Sequence, residues 1–150
     1  MIQRIQTLFL ALVVLAEVLV SQFSFASFTK ESIAYSLTTS GILNSDGNPV
    51  REDHKQLILA LVIAIIAIVS IFLFKNRKSQ VKATSILSLV ILVQLAFIGT
   101  SLYQLNADTI ESLQIGTSSF LSVISMIFTL LASKAIKKDE ALVKSVDRIR

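Results

Sequence analysis

The stretch Leu57–Phe74 reads Leu-Ile-Leu-Ala-Leu-Val-Ile-Ala-Ile-Ile-Ala-Ile-Val-Ser-Ile-Phe-Leu-Phe, with a single hydroxyl and no charge. A bilayer's hydrocarbon core is about 30 Å thick, and a helix crosses it with roughly 20 apolar residues. Three further runs have the same character: Ile5–Phe28, Val81–Leu105 and Leu113–Ser133. In lipid the backbone must satisfy its own hydrogen bonds, so apolar runs of this length are predicted to be helices. The expected fold class is all-α: an integral membrane four-helix bundle. It forms one transmembrane domain over residues 1–150. The spans are placed at 5–28, 57–74, 81–105 and 113–133, with an external loop over 29–56 and a cytoplasmic tail over 134–150.

Composition supports that solvent. Charged residues make up 16% of the chain, against about 25% in soluble domains, and mean hydropathy is +0.74. The net charge of +4 matters less than its distribution. Arg4, the Lys75–Lys82 hairpin and the segment from Lys134 hold most of the basic residues, whereas the two intervening segments hold only Lys30, Arg51 and Lys55. Basic residues near span ends stay cytoplasmic. Both termini and the hairpin are therefore predicted inside, with Thr29–Gln56 and Gln104–Ser112 outside. The expected location is the bacterial inner (cytoplasmic) membrane, multi-pass. The basic tail interleaves Asp139, Glu140 and Asp147 and has no aromatic residue on which a base could stack, so nucleic acid is a poor partner for it. Anionic lipid headgroups at the cytoplasmic face fit it better.

The first run also carries a signal-like pattern: Arg4, the apolar stretch Ile5–Ala16 and the small-x-small triplet Ser24-Phe25-Ala26. Cleavage after Ala26 would leave three spans and the same inside C-terminus. Against it, apolar character continues through Phe28, further than a signal needs.

Short connections at Lys75–Lys82 and Gln104–Ser112 make successive helices antiparallel neighbours, which predicts an up-down-up-down order. In the external loop, Asn44-Ser45-Asp46-Gly47-Asn48-Pro49 is a dense turn signal, best read as an Asx-turn beneath a short hairpin or irregular cap. Lipid tails do not drive helices together, so helices meet where small residues let backbones approach. Ser118, Ser122, Ser125 and Thr129 share one face of the last span. Ala60, Ala64 and Ala67 do the same on the second, and Ser88, Ala96 and Gly99 make a looser stripe on the third. Such a hydroxyl face is either a hydrophilic pathway or a packing seam whose serines bond back to their own helix. The absence of charge on it favours the seam. Beyond Ser133 the helix is expected to continue as an amphipathic cytoplasmic helix, resting on the leaflet or docking a partner.

Glu17 is the one ionisable residue deep inside a run, where a charge costs about 3 kcal/mol by insertion scales. It reads as a proton or cation site, as a boundary residue, or as half of a polar pair with Gln94, the mid-span amide of the third run. His54 stands alone among Arg51, Glu52, Asp53 and Lys55, which is not a metal-ligand pattern. The chain has no cysteine, and neither a phosphate-cradling glycine loop nor a nucleophile motif occurs. No cofactor, no metal site and no enzymatic activity are expected.

Both ends carry a resemblance. Met1-Ile2-Gln3-Arg4-Ile5-Gln6-Thr7, and the tail Ala132-Ser133-Lys134-Ala135-Ile136-Lys137-Lys138-Asp139-Glu140-Ala141-Leu142-Val143-Lys144-Ser145-Val146-Asp147-Arg148-Ile149-Arg150, are similar to a family of small four-span membrane proteins from Bacteroidota catalogued as a domain of unknown function. The resemblance implies four uncleaved spans and carries over no activity or ligand. It marks Lys137, Lys138, Asp139, Glu140, Asp147 and Arg148 as a candidate interaction tail. The expected role is a structural or interaction component that binds another membrane protein or itself. The alternative is a small transporter or channel using Glu17 and the hydroxyls of the fourth helix.

Overall fold

The computed structural model describes residues 3–107 and 110–147. Its helices are α1 (Gln3–Val20), α2 (Lys55–Phe72), α3 (Arg77–Ala107) and α4 (Thr117–Asp147). One spacing governs what each helix buries. On α1 the buried positions include Gln6, Leu10, Val13, Glu17 and Val20; on α3 they include Gln80, Thr84, Leu87, Ile91, Gln94 and Ile98. On α4 they are Ser118, Ser122, Ser125, Thr129, Ala132 and Ile136, and on α2 they are Ala60, Ile63, Ala67 and Ser70. Alternating steps of three and four residues keep one stripe of a helix turned toward its neighbours.

α1 packs on α2 and α4, and α3 packs on the same two, so the helices form a closed ring. Hydrogen bonds between helices fix their directions. Gln6 Nε2 donates to the Ala135 carbonyl (3.2 Å) and Ser118 Oγ to the Val20 carbonyl (2.9 Å), which sets α1 antiparallel to α4. Arg77, at the start of α3, pairs with Asp139 late in α4 (3.2 Å). α2 reverses into α3 through a single 3-10 turn, Leu73–Lys75. Large apolar side chains cover the outside of the ring, among them Leu15, Ile65, Leu89 and Leu130. Three helical stretches, Lys55–Phe72, Arg77–Leu105 and Thr117–Leu142, are long and apolar enough to cross a membrane; the apolar part of α1, Ile5–Val20, is shorter.

The all-α expectation is corrected. A five-stranded antiparallel sheet, in the order β4-β3-β2-β1-β5, sits at one end of the helices. Its strands are β1 (Ala26–Lys30), β2 (Ile33–Thr38), β3 (Gly41–Asn44), β4 (Pro49–Glu52) and β5 (Ser112–Ile115). The segment 29–56 is therefore mostly strand, not loop. The run Ile5–Phe28 is not one helix either. α1 stops at Val20, Ser21–Phe25 turns, and Ala26–Phe28 enters β1 beside β5. The turn holds because Gly116 and the first turn of α4 answer its open carbonyls. Ser118 Oγ also donates to Phe23 O (2.8 Å), Gly116 N to Phe25 O (2.8 Å) and Ser119 Oγ to Phe25 O (2.8 Å). A Cβ on Gly116 would collide with the Ser24 carbonyl, so only glycine permits this approach.

β1 and β2 are joined by Glu31 and Ser32, both with positive φ (53° and 62°), as the tight hairpin geometry requires. The β3–β4 turn is the expected Asx-turn: Asn44 Oδ1 accepts from Asp46 N (3.1 Å) and Asn48 N (2.9 Å). Leu37 of β2 packs on Val20, Phe25 and Ile98, which seats the sheet on the helices.

Candidate functional site

The middle of the ring is polar at one level. Glu17 is 2% exposed and Gln94 is fully buried, and Gln94 Nε2 donates to Glu17 Oε2 at 3.1 Å. The heptad-like spacing causes the meeting, because both residues occupy the inward stripe of their helices. Ser125 of α4, fully buried, borders the same carboxyl. Neither Glu17 Oε1, Gln94 Oε1 nor Ser125 Oγ has a hydrogen-bond partner.

This polar level is enclosed on both sides. Toward the sheet, Val20, Phe25 and Ile98 form one apolar cluster, with Leu95 and Leu121 against it. Toward the basic end, Leu10, Val13, Ile63, Leu87 and Ile91 form another. Beyond that second cluster the core turns polar again. Gln80 Nε2 donates to the Ser70 carbonyl (3.0 Å) and Thr84 Oγ1 to the Gln80 carbonyl (3.1 Å), while Gln6 reaches α4. Gln80 thereby satisfies a carbonyl in the last turn of α2, which the helix leaves open, and Gln6 adds a bond to a carbonyl inside α4.

The four hydroxyls of the inward stripe of α4 do four different things. Ser118 ties α4 to the end of α1, and Ser122 bonds back to the Ser118 carbonyl (3.0 Å). Ser125 borders Glu17, and Thr129 Oγ1 is buried without a partner. On α2, Ala60 and Ala67 are buried while Ala64 is only half-buried; the inward stripe runs through Ile63 instead. On α3, Ala96 and Gly99 are exposed and Ser88 half-buried, so the expected small-residue stripe is not the face that packs. The packing face there is the one carrying Leu87, Ile91, Gln94 and Ile98.

The tail is continuous with α4, as expected. Lys137 and Lys138 are exposed. Asp139 is half-buried and occupied: its carboxylate meets Arg77 Nη2 (3.2 Å) and its carbonyl accepts from Arg77 Nη1 (3.1 Å). Glu140 is half-buried as well. Asp147 closes α4 with its side chain outside the described set, and Arg148 lies outside the described residues. His54 is exposed beside the start of α2. Among the described residues no group of three or more His, Asp or Glu side chains could hold a metal ion.

Sequence reasoning missed a second feature, a cleft of about 620 Å3 between the sheet and the far end of α3, lined among others by Arg51, Lys55, Phe97 and Tyr103. Long-range strand pairing creates it, and no local pattern announces that pairing.

No curated protein and no solved structure matches the chain. The family model described as a domain of unknown function, DUF4293, matches residues 2–149. With nearly its whole length matched, the chain belongs to the DUF4293 family.

Proposed function

We propose that the chain is a multi-pass protein of the bacterial inner membrane, both termini cytoplasmic, acting as a structural or interaction component and not as an enzyme. The observation that carries this reading is the enclosure of the Glu17–Gln94 pair between two apolar clusters. A polar group with an apolar barrier on either side is poorly placed to pass a solute but well placed to lock the register of α1 against α3. α1, about 27 Å long at 18 residues, has a shorter apolar part, Ile5–Val20, and is read as the fourth crossing. The apolar exterior of the ring supports lipid as its solvent. Cofactors and nucleic acid have no part in this reading. Partners are the bilayer, anionic headgroups beneath Lys137 and Lys138, and another membrane protein or a second copy.

Crosslinking in native membranes before mild detergent extraction tests it. A discrete crosslinked complex, weakened by deleting residues 137–150, is expected; a lone monomer in both cases contradicts the reading. The partnerless Glu17 Oε1, Ser125 Oγ and Thr129 Oγ1 favour a second reading, a small transporter or channel. Liposome flux that disappears in Glu17→Gln would put that reading first.

A further inference from the structure

The cleft at the sheet end has a roof of defined chemistry. Leu37 pairs with Ile42, and Ile42 with Arg51. Directly paired residues project to the same face of a sheet. Arg51, on the exposed edge strand β4, therefore shares the face of Leu37 and Ile42, and all three line the cleft. Lys55, in the first turn of α2, lines it too. Lys55 is held by Asp53 at 3.2 Å, whereas Arg51 has no ion pair among the described residues. With two cations and one carboxylate, this side of the cleft is net positive.

The opposite side, from α3, is aromatic and aliphatic at its base and edge, with Thr100, Ser101 and Gln104 between. Ile98 and Phe25 close its base, and Phe97 (43% exposed) and Tyr103 (76% exposed) stand on the outer surface of α3. The uninterrupted apolar surface of α2 begins at Leu57, two residues after Lys55. Charge lies toward the sheet and apolar surface toward the helices, at the level where the apolar belt ends. An aromatic residue such as Tyr103 is at home at that boundary. A charge on an edge strand also discourages edge-to-edge pairing. That role accounts for Arg51 being on β4, but not for its sharing a cleft with Lys55 over an apolar base.

We propose that this cleft binds one membrane lipid with an anionic phosphate headgroup. The headgroup lies by Arg51 and Lys55, and an acyl chain lies along Phe97 toward the helices. The inference rests on the membrane reading above, and it concerns the face opposite to the basic tail.

Nanodiscs of phosphatidylcholine holding the full chain and a trace of photoactivatable lipid provide the test, with labelled peptides located by mass spectrometry. A phosphatidylglycerol probe is expected to label the segments 49–56 and 97–105 about fivefold more than a phosphatidylcholine probe, as about 1 kcal/mol for the one cation that Asp53 does not offset gives. Arg51→Ala with Lys55→Ala should erase the preference, while Lys137→Ala with Lys138→Ala should leave it. Equal labelling by the two probes in the wild-type chain overturns the proposal whether or not the variants fold. Suppression by excess soluble glycerol phosphate would reveal a free-phosphate site and also overturn it. Protein crosslinks from the cleft in place of lipid ones would overturn it in favour of a docked partner. Failure of the chain to insert defeats the membrane reading together with this one, whereas insertion with equal labelling defeats this one alone.

Discussion

Replacing Gln94 by Leu removes the one hydrogen bond that Glu17 makes. The carboxyl, 2% exposed and with Oε1 already partnerless, would then have only the bordering Ser125 hydroxyl as a donor for two buried oxygens. Leaving a buried polar group unsatisfied costs about 1–3 kcal/mol. Glu17→Leu has the mirror effect, since it strands the Gln94 amide, which is fully buried. Replacing both residues by Leu strands neither. The walls on either side are Val13, Val20, Ile91 and Ile98, so two leucines of similar volume enter surroundings that suit them. Each single variant is expected to lose about 2 kcal/mol, and the double variant to lie within about 1 kcal/mol of the parent. The resulting coupling of about 3–5 kcal/mol exceeds the ~0.6 kcal/mol typical of a hydrogen bond between membrane helices, because it includes the stranding of each partner. Unfolding free energies of the four proteins in bicelles, by denaturing-detergent titration, give the cycle. Additive losses, or a harmless Gln94→Leu, would refute the reasoning.

Two glycine substitutions should act with opposite sign. Gly116→Ala drives a Cβ into the Ser24 carbonyl and should cost about 2 kcal/mol, whereas Gly99→Ala meets open space on an exposed helical face and should stabilise by up to about 1 kcal/mol. The same unfolding titration reads both. In the β1–β2 turn, Ser32→Gly relieves a left-handed non-glycine residue and should raise stability by about 0.5 kcal/mol net of the looser unfolded chain, seen as slower amide exchange in the hairpin. Asp53 accepts from the Lys55 backbone N–H, and this bond, then the Lys55 ammonium and the Arg51 guanidinium, holds its carboxyl below the usual carboxylate range. Since the folded-state pKa is the lower one, its contribution is complete above about pH 4 and fades as pH falls through the lowered value. Asp53→Asn should flatten that acid limb by losing a little stability near neutrality and none below the lowered pKa.

The helices were legible because lipid imposes a crude rule, length without charge, that three of them obey openly. The polar pair was legible for the same reason. Glu17 and Gln94 are interruptions that an apolar run tolerates only when they face inward. The resemblance of the tail also singled out Asp139, although its partner, Arg77, depends on the ring order and not on the tail itself. Of the sheet, only the β3–β4 turn was legible. Ala26-Ser27-Phe28 continues the hydropathy of α1, so β1 is hidden inside an apparent span. β5 is four residues long, Ser112-Leu113-Gln114-Ile115, and pairs with a strand some 85 positions away in sequence. The tight β1–β2 turn uses Glu31-Ser32 where Asn-Gly is the usual signal. On the helices, small residues were weighted over spacing. The alternation of three and four residues, present in all four sequences, would have preferred Ile63 to Ala64 and Leu87 to Ala96.

The absence of native cysteine allows the topology to be read directly. Asp46→Cys places a single thiol in the β3–β4 turn, and Lys138→Cys places one on the exposed face of α4 at the basic end. The measurement is labelling by a membrane-impermeant maleimide in intact spheroplasts and again after the membrane is opened. The account predicts immediate labelling at position 46 and labelling at 138 only after opening. The reverse pattern, or equal labelling of both sites in intact spheroplasts, would contradict a sheet held outside and a basic end held within.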